Sequence, residues 1–183
     1  MIPSEEEALA LHRKYGSNEI IVRHCLTTAR VAKIITSRLR EAGKPVDEKA
    51  VVAGALLHDI GRNRTRTVRH GLEGSLMLER EGVQDSVVQI VRRHVGAGLS
   101  PEEARRLGLP AFDYIPRTIE ERVVCFSDKL IDSDKVRPFA GEVERFVKKG
   151  HDVNRLLALK KGLQDELGED PEKLVLDNIK ESE

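Results

Sequence analysis

The sequence predicts an all-α fold, a helical bundle with a C-terminal helical extension. Three observations predict it. Helix-start signatures recur along the chain, apolar residues repeat at helical spacing, and alternating strand runs joined by hairpin turns are absent. Ser4 with Glu7 makes a capping box that opens a short helix stopping at Gly16. Asn18 caps a second helix, which runs to about Ala42 before Gly43 and Pro45. Asp47 caps a third, through Val51, Val52, Ala53, Ala55, Leu56 and Leu57, and Gly61 ends it. Helical patterns follow over 70–81 and 84–94. Ser100-Pro101-Glu102-Glu103 supplies a cap, a first-turn proline and two acids, and so starts another helix. A longer one is predicted over 118–133, and two or three more between Gly150, Gly168 and Pro171.

The length of 183 residues suits one domain over 1–183, with a core at 18–135 and a helical appendage at 136–183 that carries no motif. The 31 basic and 31 acidic residues cancel, so no gross field favours nucleic acid or an anionic membrane, and phosphate recognition must be local. Aromatics are 3% and Trp is absent, which argues against stacking platforms for single strands. Cys25 and Cys125 form no Cys-x-x-Cys pair, so a thiolate zinc site or disulfide scaffold is not expected, and a reducing cytosol is the simplest home. No basic segment followed by an apolar core opens the chain, and no apolar run is long enough to span a bilayer. A cytoplasmic location is therefore expected.

The chemistry concentrates at His58-Asp59, which closes the apolar run Ala55-Leu56-Leu57. Two such polar neighbours at the end of a buried helix are costly without a partner, and a divalent cation is the natural one for imidazole plus carboxylate. Four further residues add weight. His24 falls on the stripe of Ile20, Val31 and Ile35; Asp128 shares a face with Val124, Cys125 and Ile131. His94 ends a helix with Val87, Ile90 and Val91 inward, and His70 opens one before Gly71. Each has an ordinary alternative: a core histidine, a carboxylate paired with Arg or Lys, a dipole partner, a surface residue. His12 and His151 read as exposed, and the two cysteines as core residues beside the ligand helices.

His24, His58-Asp59 and Asp128 on successive helices, with the run Leu57-His58-Asp59-Ile60-Gly61 and the closing Ser127-Asp128-Lys129, resemble the HD-domain metal-dependent phosphohydrolases. The resemblance covers about residues 20–135. His70-Gly71 and Arg93-His94 resemble the extra histidines of HD subgroups that hold two metal ions, among them a bacterial diadenosine tetraphosphate hydrolase group. It implies that His24, His58, Asp59 and Asp128 ligate one ion, and that Asp59 bridges to a second held by His70 and His94. Such mixed nitrogen and oxygen ligands suit one or two ions of Mn, Fe, Co, Ni or Zn.

The expected activity is hydrolysis of a small nucleotide or related phosphate ester, monoester or diester, by metal-activated water, with Asp59 catalytic. Arg62, Arg66, Arg69 and Lys129 are the candidate substrate cations, three of them within the Arg-rich loop 62–69. That loop reads equally as a solvated basic segment. Some HD nucleotidases carry an acid three positions after the motif aspartate. Arg62 stands there instead, which disfavours that subtype. The alternative function is a metal-stabilised regulatory or ligand-binding HD domain with little turnover. A small nucleotide is the expected partner, nucleic acid and membrane are not, and a homo-oligomer is left open.

Overall fold

The computed structural model describes residues 1–180, and the last three positions of the segment assigned to the C-terminal appendage lie outside them. The described residues fold into ten α-helices: α1 Glu5–Lys14, α2 Glu19–Glu41, α3 Glu48–Leu57, α4 His70–Arg80, α5 Asp85–Arg93, α6 Pro101–Arg106, α7 Ile119–Lys129, α8 Phe139–Lys149, α9 Val153–Leu167 and α10 Pro171–Lys180. A 3₁₀ turn, Ile60–Asn63, follows α3, and a two-residue hairpin, β1 Ile131–Asp132 with β2 Lys135–Val136, follows α7. The all-α expectation holds.

The capping reasons hold atom by atom. Ser4, Ser100 and Thr118 each accept from the backbone N–H three residues on, and Glu7, Glu103 and Glu121 return the bond. Asn18 and Asp47 cap α2 and α3. Helix α3 is buried on all sides, as its composition demands: Val51, Ala53, Ala55, Leu56 and Leu57 expose at most 1%. It packs between α2, α5 and α7, with α1 beyond it. The centre of the bundle thus delivers His58 and Asp59 to the interior.

Two glycines permit the approach. A Cβ on Gly54 would lie 2.5 Å from Ile90 Cγ2, so α3 and α5 touch there. A Cβ on Gly61 would lie 2.0 Å from the His70 carbonyl, so the 3₁₀ turn rests directly on the start of α4.

Two boundaries differ from expectation. The third helix ends at Leu57, and Gly61 sits within the 3₁₀ turn instead. The helix predicted to reach Ser133 stops at Lys129; the chain then makes the hairpin, with Ser133 at φ +60°. Strands of two residues leave no alternation to read, and Ile131 falls at helical spacing from Asp128 by coincidence. The C-terminal helices share the main core through Phe139, Phe146, Leu156, Leu163 and Val175. No helix among the described residues is long and apolar enough to cross a membrane.

Candidate metal centre

Helices α2, α3, α4, α5 and α7 each aim one or more polar side chains at a common point. His58 caps the C-terminus of α3 and His94 that of α5; His70 opens α4, His24 lies in α2 and Asp128 in α7. Every one of the four histidines turns Nδ1 to a backbone carbonyl: His58 to Ala55 at 2.7 Å, His70 to Thr67 at 2.7 Å, His94 to Val91 at 2.7 Å, and His24 to Ser133 at 2.8 Å. A carbonyl only accepts, so each Nδ1 carries the proton, and in the neutral ring Nε2 presents a bare lone pair.

Those lone pairs meet. His24 Nε2 is 3.1 Å from His58 Nε2, and His70 Nε2 is 3.0 Å from His94 Nε2. Between the pairs lies Asp59, which exposes 3%. Its Oδ2 is 3.8 Å from His24 Nε2 and 3.7 Å from His58 Nε2; its Oδ1 is 3.2 Å from His70 Nε2 and 3.4 Å from His94 Nε2. Asp128 Oδ1 completes the first group, 2.9 Å from His24 Nε2 and 3.5 Å from His58 Nε2.

Facing lone pairs repel, and buried Asp59 Oδ1 has no hydrogen-bond partner. A cation in each group resolves both problems. Adjacent ligands on an ion with bonds of about 2.1 Å stand about 3 Å apart, close to the shortest spacings here. Two groups suited to a metal ion emerge, His24-His58-Asp59 and Asp59-His70-His94, with Asp59 in both. The mixed imidazole and carboxylate set fits a divalent transition metal.

Without an ion the charges must be balanced by protons. Burial opposes charge on His58, but Cys25, Asp59 and Asp128 outweigh it and hold that imidazole well above its ordinary range. His94 goes the other way: burial, helped by His58 and His70, takes it down to about 4. Burial would raise both carboxyls, yet His58 beside Asp59, and Lys129 with the histidines beside Asp128, keep them well below the usual range. Cys25 and Cys125 are both buried, as expected. Burial raises the Cys125 thiol to about 12, whereas His58 and His12 overcome burial at Cys25 and bring it to about 7.

The HD domain family model matches residues 21–131, a span that contains all six converging side chains. The chain belongs to the HD-domain family. Other relatives of this HD chain include a tRNA (cytidine(56)-2'-O)-methyltransferase of Picrophilus torridus, 38% identical over 91% of this chain and 47% of that protein. The chain therefore spans about half the length of the methyltransferase relatives it matches. An uncharacterized protein of Methanocaldococcus jannaschii is 38% identical over 79% of this chain and 85% of its own length. Among solved structures, the HD domain of the L. monocytogenes phosphodiesterase PgpH has the same fold, with a TM-score of 0.60 at 15% identity, covering 93% of this chain and 96% of that one.

The HD centre opens into a cavity of about 690 Å³. Of the predicted cations, Arg62, Arg66 and Lys129 line it. Arg62 Nε donates to Asp59 Oδ2 at 2.5 Å and Lys129 Nζ to Asp128 Oδ2 at 2.5 Å, so both answer ligand carboxylates. Burial disfavours charge on Lys129, but Asp128 holds its ammonium above the ordinary range. Arg69 is turned away: it donates to the Gly108 carbonyl at 2.9 Å, lies 3.7 Å from Glu73, and is not in the cavity wall. Its reach to a loop 39 residues on could not be read locally.

The far wall was missed. Arg145, Phe146 and Lys149 of α8 and Arg155 of α9 line the same cavity. Arg145 and Lys149 stand four apart on one helix face beside a phenylalanine, a signal available in the sequence. Ile20, placed on the buried stripe with His24, is 61% exposed and forms part of the wall. His12, read as exposed, exposes 1%, while His151 is exposed as expected.

Proposed function

We propose that this chain is a metal-dependent phosphohydrolase acting on a small nucleotide or related phosphate ester. The observation that carries the reading is Asp59, whose two oxygens face two separate histidine groups at the floor of a cavity with cationic walls. A divalent ion bound there supplies an activated water at neutral pH and charge for the phosphoryl oxygens. The remaining steps belong to the protein. Asp59 and Asp128 stay ionised as ligands. Arg62 spends only Nε on Asp59, which leaves its terminal amino groups for phosphoryl oxygens, and Lys129 has N–H donors beyond the one given to Asp128. Arg66 and Lys149 line the cavity without ion-pair partners among the described residues, and serve an extended phosphate. Ile20, Leu99, Ile131 and Phe146 provide apolar surface for a sugar or base.

A second reading is a regulatory or ligand-binding HD domain with little turnover. One observation favours it: a chain of this length accounts for about half of relatives named for methyl transfer to tRNA. Hydrolysis of nucleoside mono-, di- and polyphosphates, cyclic diesters and phosphorylated oligoribonucleotides, with added Mn²⁺, Co²⁺ or Ni²⁺ and the products resolved by chromatography, separates the two. Turnover of a nucleotide that Asp59→Asn abolishes supports the hydrolase. Nucleotide binding by calorimetry with no compound hydrolysed supports the second reading, and turnover of the oligoribonucleotides alone moves the substrate to RNA ends.

A further inference from the structure

His12 belongs to no part of the mechanism above, yet it is among the most enclosed polar side chains of the molecule, 1% exposed between α1 and α3. Its Nε2 lies 2.7 Å from the Leu56 carbonyl, two residues before His58. Its Nδ1 lies 2.6 Å from Ser17 Oγ. Asn63 Nδ2, in the 3₁₀ turn that follows Asp59, lies 2.7 Å from the same Ser17 oxygen and donates to it. The proton positions follow. The Leu56 carbonyl can only accept, so Nε2–H donates to it. Nδ1 of the neutral ring then accepts from the Ser17 hydroxyl, whose own lone pair receives Asn63. Each member is satisfied in one direction only.

This chain of bonds grips His58-Asp59 from both sides: Leu56 at the end of α3, Asn63 at the end of the 3₁₀ turn. We infer that His12, acting through the Leu56 carbonyl and through Ser17 to Asn63, is a positioning residue that fixes the His58-Asp59 corner at its metal-binding geometry. The inference rests on the metal centre proposed above. Packing alone does not explain the arrangement, because an apolar side chain would fill the same space. The specific content is a donor for Leu56 coupled to a relay that reaches Asn63. A last-turn carbonyl needs such a partner where the helix breaks off.

The test is Co²⁺ binding to the purified 183-residue chain, followed by visible absorption and by metal content, alongside the melting temperature. His12→Leu keeps the bulk and removes the donor; Ser17→Ala cuts only the link to Asn63; His12→Gln keeps an N–H donor within reach of Leu56. His12→Leu and Ser17→Ala should weaken Co²⁺ binding by about tenfold and change its absorption spectrum, with His12→Gln nearer the wild type, as expected for partners that orient ligands from outside the coordination sphere. Wild-type Co²⁺ affinity and spectrum in His12→Leu and Ser17→Ala, whatever the fall in melting temperature, would overturn it and leave His12 as packing. A wild-type chain that binds no Co²⁺ removes the metal centre itself and this inference with it, a result distinct from unchanged variants.

Discussion

Three of the four inward histidines are oriented by the same short-range device, a bond from Nδ1 to the carbonyl three residues earlier: His58 to Ala55, His70 to Thr67 and His94 to Val91. The ring is thereby locked by its own segment before any tertiary contact forms, and Nε2 is committed to the interior. His24 lies within a helix whose carbonyls are already used, so its partner comes from the Ser133 carbonyl at the hairpin tip. That tight turn, invisible as a strand pattern, is therefore part of the site. Asp59 has the opposite role, an acceptor with two faces. Asp59→Asn keeps the shape and removes the charge that both histidine groups share. Elemental analysis of the purified variant should show both ions lost; loss of one alone would mean that Asp59 serves a single position. His24, His58, Asp59 and Asp128 were legible because polar groups at apolar helix positions need an explanation, whereas the second-ion role of His70 and His94 came from the resemblance to HD subgroups with extra histidines. The burial of His12 was not, since it depends on Leu56, 44 residues away.

At the scale of elements, capping is local chemistry and was read directly, whereas contacts between helices were not. Ser100 and Glu103 illustrate both. The box that starts α6 was evident from four residues, but Glu103 also receives Arg155 of α9 at 2.8 Å, which ties α6 to the C-terminal helices. Burial alone would raise the Glu103 carboxyl; bonds from Ser100 and Arg155 outweigh it and lower it. A depressed acid contributes stability that is fully present above its unfolded value, about 4.3, and lost as pH falls through the folded one. Glu103→Gln should therefore cost about 1 kcal/mol at pH 7 and progressively less below pH ~4 in denaturant titrations. An equal cost at pH 3 and pH 7 would contradict the assignment. The close approach of α3 to α5 at Gly54 makes a second prediction. Gly54→Ala forces a methyl into Ile90, at an expected cost of about 1–3 kcal/mol in chemical denaturation. Because α3 carries His58-Asp59 and α5 carries His94, metal content should fall with stability. Full occupancy in a destabilised Gly54→Ala would show that the helix spacing does not set the centre.

Across the whole molecule, five helices from sequence positions 24 to 128 meet at one point. An ion there ties α2, α3, α4, α5 and α7 together and binds only the folded chain, so its binding energy adds to folding stability. Chelation should lower the melting temperature by several degrees, since an ion at about 100 times its Kd adds about 2.7 kcal/mol and each kcal/mol moves a chain of this size by about 2–4 °C. An unchanged melting curve with EDTA would mean that no ion is held. The HD core was legible in the sequence because its motif is short and its spacing fixed. The far wall of the cavity was not, because Arg145, Lys149 and Arg155 join the site only when α8 and α9 fold back on the core. The central claim is a single centre with two metal positions sharing Asp59, and its most direct test is the number of ions per chain in wild type and in His94→Ala. The account predicts two ions falling to one, with the first group of His24, His58 and Asp128 still loaded. One ion in both proteins would contradict it and leave His70 and His94 without a metal to hold.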